Sequence, residues 1–504
     1  MTSPTTQIDY QPAVQPLPRT TPEAEGISST SVLAFIDAIE EKKLELHSVM
    51  LLRRGHVVAE GWWSPYSPTR PHMLYSLSKS FLSTAAGLAI AEGHFGPDDA
   101  VVSFFPDDLP PTISENLAAM QVRHLLSMAT GHQEDKTGAL RNDPDGNWVR
   151  AFLAEPVEHE PGTFFRYNSA ATYMVSAILQ KTTGETALAY LQPRLLEPLG
   201  IRGATWETDP RGISVGGWGL AIRTEDIARF GELYRSGGVW EDRSLVPSDW
   251  VEAATRAQVS NGDPATESDW QQGYGFQFWR CRNGAFRADG AFGQFCVVMP
   301  EQEAVFVTTA NVGDLQSVLN LVWEILLPAM TATALPHAPA AHEKLQERLS
   351  ALALTVPEGS PESPTAAQVT GRTYRFPENE QGIGALTLHF ADDTVTLPVE
   401  DNAGTHTVNA GMGHWQQGTT TFLRNSIVRS LPANGSTDSD GPAAAGYAAW
   451  SAEDTLEIRV CLIETPFTPT IRLMFTGDKA VQFETIGRVG FGSGDRPLLE
   501  GAAG

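Results

Sequence analysis

The chain has 504 residues with 35 basic and 60 acidic side chains, a formal charge of −25 at neutral pH. A composition that is 41% apolar and 19% charged belongs to folded protein rather than disordered chain, and the carboxylate excess argues against nucleic acid, whose phosphates are bound through Lys and Arg. The length exceeds one ordinary core and points to two or three domains. Residues 1–20 are polar and Pro-rich, lacking the basic start and apolar run of a secretory signal, so they read as a flexible segment of a cytoplasmic protein. A helix over 29–43 precedes two strands, 48–53 and 56–62, joined by a tight Arg54-Gly55 turn. A long, mostly helical region follows from 78 to about 256. Four strand-like runs come next, at 274–280, 285–288, 294–299 and 304–310, with turns short enough to require antiparallel pairing. A helix over 315–327 ends this part. An antiparallel sheet drawn from both ends of the region, with a helical insertion, is an α+β architecture.

From Leu335 to Ala367 the chain is rich in Ala, Pro, Gly and Ser, the composition of a linker, with a short helix over 342–354. Beyond it, alternating strands at 385–390, 394–399, 419–423, 456–462, 471–475 and 481–485 are separated by Gly, Asn and Asp turns and read as an all-β sandwich or barrel. The expected division is therefore a flexible 1–20, a mixed domain over 21–334, a linker over 335–367 and an all-β domain over 368–504.

The sharpest chemical feature is Ser76-Leu77-Ser78-Lys79, which opens a helix expected to run to about residue 92 and stop at Gly93. A spacing of three sets Ser76 and Lys79 on one helical face, where an amine can take the hydroxyl proton. The helix N-terminus favours negative charge developing nearby. The chain has only seven lysines, and this is its single Ser-x-x-Lys pair. Taken alone the pair also fits an N-terminal Ser followed by a solvated Lys. A lysine heading the apolar stripe Phe81, Ala85, Leu88 and Ala89, however, faces the interior, where desolvation lowers its pKa.

Further segments occur in a fixed order: His124-Leu125-Leu126-Ser127-Met128-Ala129-Thr130-Gly131, then Glu160-Pro161-Gly162-Thr163-Phe164-Phe165-Arg166-Tyr167-Asn168-Ser169, then Gly216-Gly217-Trp218-Gly219-Leu220 with Thr224-Glu225-Asp226, then Gly290-Ala291-Phe292-Gly293-Gln294. With the Ser-Lys pair, over about residues 21–328, they resemble the serine β-lactamase and penicillin-binding-protein superfamily, in particular its class C-like branch with family VIII carboxylesterases and 6-aminohexanoate-dimer hydrolases. The resemblance implies a β-lactamase-like antiparallel sheet flanked by helices with a helical subdomain. It implies a serine hydrolase that forms an acyl-enzyme without a cofactor. Ser76 would be the nucleophile, Lys79 and Tyr167 would take and relay its proton, and the backbone N–H groups of Ser76 and Ala291 would form the oxyanion hole. Asn168, Ser169, Asp289, Gly290 and Gln294 would meet the substrate.

Two departures from the family pattern shape the expected substrate. The Tyr-x-Asn motif reads Tyr167-Asn168-Ser169, so the amide that holds substrate is replaced by a hydroxyl. The Lys-Thr-Gly or His-x-Gly motif reads Ala288-Asp289-Gly290 and lacks the cation that binds the β-lactam carboxylate. Arg287 is expected on the opposite strand face from residue 288. A small neutral ester is therefore the expected substrate. The alternatives are an amide hydrolase of the 6-aminohexanoate-dimer or D-amino peptide type, a weak β-lactamase and a non-catalytic ligand-binding member. No nucleic-acid or membrane partner is expected, and self-association is left open. Lys136-Thr137-Gly138 spells the third motif but precedes Tyr167 in a charged stretch and reads as loop. Gly212-Ile213-Ser214-Val215-Gly216 spells a nucleophile elbow without the buried strand that motif requires. The twelve histidines and the cysteines Cys281, Cys296 and Cys461 show no metal-ligand spacing.

Overall fold

A computed structural model describes residues 15–422, 441–487, 490–491 and 496–504. Its contacts divide the described chain into two units, one of residues 15–62 and 68–352, the other of 63–67 and residues from 353 onward.

The first unit is built on a six-stranded sheet. Its strands are β1 (Leu46–Arg53), β2 (His56–Trp62), β3 (Trp279–Arg280), β4 (Phe286–Gly290), β5 (Gln294–Met299) and β6 (Ala304–Ala310), in the order β2-β1-β6-β5-β4-β3 with every pairing antiparallel. Both ends of the unit contribute, as the short turns require. The central strands β1, β5 and β6 are buried along their whole length, which explains why they read as continuous apolar runs rather than as alternation.

The helices around the sheet include α1 (Ser29–Glu41), α2 (Ser78–Ala91), α3 (Ser169–Thr183), α4 (Thr224–Arg235) and α5 (Pro339–Ser350). Helix α1 is capped by Ser28, whose side chain accepts from Ser31 N–H, and sets Phe35 edge-on to Phe306 at 5.4 Å. Helix α4 packs on the opposite face. Gly231 makes its close approach possible, because a Cβ there would lie 2.5 Å from Val305 Cγ1 and 2.7 Å from Cys296 Sγ. Helix α2 is buried on every side from Ser78 to Ala89. Its hydroxyls stay satisfied, with Ser80 donating to the Gln277 carbonyl at 2.6 Å and Ser83 to the Phe276 carbonyl at 2.7 Å. A helix held this way has one available position, and so does the turn that leads into it.

Two expectations need correcting here. The run 274–280 is strand only at Trp279–Arg280. Gln277 adopts a φ of 64°, and Gly275 passes the Ala254 carbonyl so closely that a Cβ would lie 2.0 Å from its oxygen. The alternating aromatics Tyr274, Phe276 and Phe278 imitate a strand pattern without forming one. The short helix expected at 342–354 within the segment from residue 335 is α5 at Pro339–Ser350, which buries Leu345 and Leu349, and Leu352 just beyond it covers β2 at Gly61, where a Cβ would meet Leu352 Cδ1 at 2.7 Å.

The second unit is a closed barrel of nine strands, which decides between sandwich and barrel. They are β7 (Thr373–Arg375), β8 (Ile383–Thr387), β9 (Thr394–Asp401), β10 (Gly404–Met412), β11 (Ala443–Ala452), β12 (Thr455–Cys461), β13 (Thr470–Thr476), β14 (Ala480–Ile486) and β15 (Leu499–Ala503). The order β8-β7-β15-β14-β13-β12-β11-β10-β9 closes where β9 pairs with β8, and only β10 and β11 run parallel. Closure leaves no free edge among these strands. The run expected at 419–423 is strand three residues earlier, Gln416–Thr419, and Leu423 lies outside the described residues.

Candidate active site

Ser76 sits on a single 3-10 turn, Tyr75–Leu77, between the short strand His72–Met73 and α2. Leu220 holds the turn from both sides. Its carbonyl accepts from Leu74 N–H at 2.9 Å, and its own N–H donates to Ser78 Oγ at 3.1 Å. Tyr75 has a left-handed φ of 49°, an uncommon state for a bulky residue. Its ring meets that of Phe292, itself at φ 68°, edge-on at 5.2 Å. The end of β4 passes close by, because a Cβ on Gly290 would lie 2.0 Å from the Leu74 carbonyl oxygen. Only glycine permits that approach. Ser76 stands two residues past this contact on one segment, and Ala291 one residue past it on the other.

Lys79 is 1% exposed, and its ammonium has three acceptors. Nζ donates to Ser76 Oγ at 3.0 Å, to Ser169 Oγ at 3.0 Å and to the Gly217 carbonyl at 2.6 Å. Burial brings its pKa down to about 7, against the opposing pull of Asp135 and Asp289. Tyr167 is hydrogen-bonded to Ser76, and its ring centroid lies 5.0 Å from Lys79 Nζ. That ring stacks on Trp279 at 5.3 Å. Burial pushes the phenol far above its ordinary range and Asp289 adds to the rise, while the Ser76 hydrogen bond and Arg287 oppose it. Near neutral pH, then, Lys79 titrates and Tyr167 keeps its proton.

The structure gathers Ser76, Lys79, Tyr167 and Ser169 around one amine and gives the other expected residues different work. Asn168 is fully buried and caps α3, its Oδ1 accepting from Ala170 N–H and Lys136 N–H at 3.1 Å each. Gln294 is fully buried as well. Its Nε2 donates to the carbonyls of Ala291 (2.9 Å) and Ala310 (2.8 Å), and its Oε1 accepts from Ala310 N–H at 3.1 Å. The Gln294 carboxamide is thus engaged at both ends and holds the turn after Gly290, while Asn168 holds the α3 start through Oδ1 and its buried Nδ2 has no hydrogen-bond partner among the described residues. Asp289 is partly exposed and pairs with Arg287 Nε at 2.8 Å.

Arg287 does lie opposite Ala288, yet its face is the one that carries Asp289 and Trp279 toward Tyr167. Its guanidinium is fully buried over Trp270, 4.3 Å from the ring centroid, and donates to the Asp269 carbonyl at 2.8 Å. The two decoys border the site without supplying its reacting groups. Thr137–Arg141 is a short helix rather than loop, and Lys136 pairs with Glu155 at 3.2 Å. Ser214 is buried in an isolated bridge to Thr208 with no helix after it. The Gly217 carbonyl, the Trp279 platform and the Arg287–Asp289 pair were not foreseen. The Gly-Gly-Trp-Gly segment was visible as a motif, but a backbone acceptor leaves no side-chain signal.

Comparison with known proteins adds the deciding observation: the Beta-lactamase family model matches residues 36–349. The chain belongs to the Beta-lactamase family. The match holds Ser76, Lys79 and Tyr167 and ends within α5, ahead of the barrel. The chain is 27% identical over 297 residues to the 6-aminohexanoate-dimer hydrolase of Paenarthrobacter ureafaciens, covering 54% of this chain and 75% of that protein. It is 24% identical over 212 residues to esterase EstB of Burkholderia gladioli, covering 36% of this chain and 53% of that protein. A solved structure from Bacillus anthracis, provisionally named a 6-aminohexanoate-dimer hydrolase, superposes with a TM-score of 0.53 at 19% identity, over 64% of this chain and 90% of that one. The first unit thus has the β-lactamase-like fold, and the chain is a hydrolase of the serine β-lactamase and penicillin-binding-protein superfamily. Among the described residues, no helix is long and apolar enough to cross a membrane.

Proposed function

We propose that this chain is a serine hydrolase of carboxylesterase type, cleaving small neutral esters through an acyl-enzyme on Ser76. The observation that carries this reading is the placement of Lys79 Nζ, 3.0 Å from Ser76 Oγ and buried so that it loses its proton near pH 7. The neutral amine takes the Ser76 proton as Oγ attacks the carbonyl carbon. Tyr167, whose phenol stays protonated, hydrogen-bonds Ser76 and orients it. Base duty falls to Lys79, since a phenolate beside Asp289 is strongly disfavoured. The N–H groups of Ser76 and Ala291 face the developing oxyanion, which needs no particular side chain at either position. Water then releases the acid.

Arg287 is sealed from solvent and neutralised by Asp289, so it is withheld from a substrate carboxylate, in keeping with neutral substrates and poor β-lactam turnover. The three cysteines are buried and none is in a disulfide among the described residues, which suits the reducing cytoplasm. Amide hydrolysis is the second reading, favoured by the likeness to the 6-aminohexanoate-dimer hydrolase. A panel of short-chain nitrophenyl esters, alkyl esters, linear amides and a β-lactam, run on wild type and Ser76→Ala, tests the proposal. Ester turnover that disappears in Ser76→Ala is expected, and full ester turnover by Ser76→Ala would overturn it.

A further inference from the structure

A neutral amine takes a proton only if its lone pair points at the donor. Lys79 Nζ meets two hydroxyls and one carbonyl, and of the three the Gly217 carbonyl, at 2.6 Å, can do nothing but accept. It therefore claims an N–H of the neutral amine and helps turn the lone pair toward Ser76. A backbone carbonyl has this effect only while its loop is held, and the residue that holds it is Glu207. A three-stranded antiparallel sheet sets Leu220–Ile222 between His72–Met73, which leads to Ser76, and Thr205–Trp206, which leads to Glu207. Glu207 N–H donates to the Gly219 carbonyl at 3.1 Å and its own carbonyl accepts from Val215 N–H at 2.9 Å, one bond on each side of Gly217. Gly219, at φ 91°, passes so close that a Cβ would lie 2.5 Å from Glu207 Cβ. The side chain adds a tie inside the loop, where Oε2 accepts from Trp218 Nε1 at 2.9 Å on the residue next to Gly217.

Resting on the hydrolase reading above, we infer that Glu207 is a positioning residue, whose carboxylate holds Trp218 and so keeps the Gly217 carbonyl on the Lys79 amine. Two groups face that carboxylate, the Trp218 N–H and the Arg141 guanidinium, which itself lies 4.6 Å from a Trp218 ring centroid. Asp209, two residues on, accepts from Tyr173 Oη at 2.6 Å and from the N–H groups of Arg211 and Ile213 at 2.8 Å each. Burial pushes the Glu207 carboxyl up to about 7, against the pull of Arg141 and the Trp218 bond. The ionised form grips the indole N–H about twice as strongly as a neutral carboxyl does. Protonation of Glu207 therefore loosens the loop, and Lys79 then meets Ser76 less well aimed. Because the effect passes through Gly217 to the base, it falls on kcat rather than on KM.

The isosteric Glu207→Gln tests this assignment, since it keeps a side-chain acceptor and removes the charge. The reading is the ratio of wild-type to Glu207→Gln kcat on p-nitrophenyl butyrate across pH, in which the shared Lys79 titration cancels. The ratio is roughly 10-fold above about pH 8, where wild-type Glu207 is ionised, and closes to within about 2-fold below about pH 6, with KM alike throughout. A fixed loss of folded protein offsets this curve without bending it. In a Trp218→Phe background, which lacks the indole N–H, adding Glu207→Gln costs nothing further. A ratio that does not change with pH would reduce Glu207 to a structural part and overturn the assignment. So would a loss carried by KM, or one that adds fully to that of Trp218→Phe. A wild-type protein that hydrolyses no ester would instead overturn the hydrolase reading itself, and the positioning role with it.

Discussion

Along β12, β13 and β14 every second residue is buried, so Leu456, Ile471 and Phe483 fill the barrel interior while Glu457, Arg472 and Glu484 stand outside. Helix α2 breaks that division, since it is buried on every side and still carries Lys79. The barrel keeps its ions at the surface, as Arg472 shows by reaching Glu457 at 2.9 Å and Glu484 at 3.0 Å. The first unit places an amine and a guanidinium inside, at Lys79 and Arg287, with the partly exposed Asp289 paired to Arg287. Burying a charge opposes folding unless it is paired or loses its proton. A group that does so at a strained turn beside a second hydroxyl is a functional candidate on physical grounds. In the barrel His406 is buried between Asp401 Oδ1 at 2.8 Å and Thr421 Oγ1 at 2.7 Å, but on a regular strand rather than a strained turn, and along β12 to β14 the alternation is what stability alone would produce.

The largest effect that sharpens this contrast belongs to Ser76. Ser76→Ala lowers kcat/KM on nitrophenyl esters by 10³-fold or more, on the order of nucleophile removal in other serine hydrolases. Labelling by a fluorophosphonate disappears with it, and persistence of the label would place the nucleophile elsewhere. Gly290→Val comes next. Its Cβ would need space 2.0 Å from the Leu74 carbonyl oxygen, so the strand or the Ser76 turn must shift. Activity falls by about 10- to 100-fold and stability by roughly 1–3 kcal/mol, read by steady-state kinetics and urea unfolding. Unchanged kinetics would show that the Gly290 contact does not position the oxyanion donors.

The pH profile then tests the amine. Lys79 acts in its neutral form and titrates at about 7. Thus kcat/KM is low when the amine is protonated, rises through a midpoint near pH 7 and levels off above it. Tyr167 adds no limb near neutrality, because its phenol is pushed far upward. A midpoint near the ordinary lysine value of 10.5 would show that the amine is hydrated rather than buried.

What the sequence made legible follows from the same physics. The Ser76–Lys79 spacing and the apolar stripe behind it depend only on helical geometry, and the buried amine appears where that stripe implied it. Strands β1, β2, β5 and β6 were readable because short turns and apolar runs are local signals. Strands β10 and β11 were missed: Ala443–Ala452 is rich in Ala and shows little of the β-branched pattern, and in Gly404–Met412 the β-branched Thr405, Thr407 and Val408 are interrupted by His406 and followed by Asn409, Ala410 and Gly411. Asn168 and Gln294 were assigned to substrate because a polar residue beside a motif looks available. Only tertiary contacts reveal that Asn168 Oδ1 and both ends of the Gln294 carboxamide are already taken. The Arg287–Asp289 pair was hidden for a related reason: strand alternation sets it opposite Ala288, but not which of the two faces meets Tyr167.

Two stability measurements separate the units further. In the unfolded chain Lys79 holds its proton up to about 10.5, whereas in the folded chain it releases it near 7. The unfolded state therefore binds more protons between those values, and folding loses stability as pH falls from 10.5 to 7. Lys79→Met removes that loss. Its melting temperature exceeds wild type by about 2–4 °C for each kcal/mol recovered, with the gain growing from pH 10 down to pH 7, while ester turnover is abolished. A destabilised Lys79→Met would mean that the three hydrogen bonds outweigh the desolvation. The smallest effect belongs to the barrel. Arg472 is 36% exposed and its two carboxylate partners are 18% and 29% exposed, so water screens the pairs and Arg472→Ala changes stability by less than about 1 kcal/mol. The change shrinks further in salt, and ester kinetics stay at the wild-type level. A larger loss, or one that persists in high salt, would show that the Arg472 stem packs against its strand neighbours, so that even the outer face of the barrel contributes through contact rather than charge.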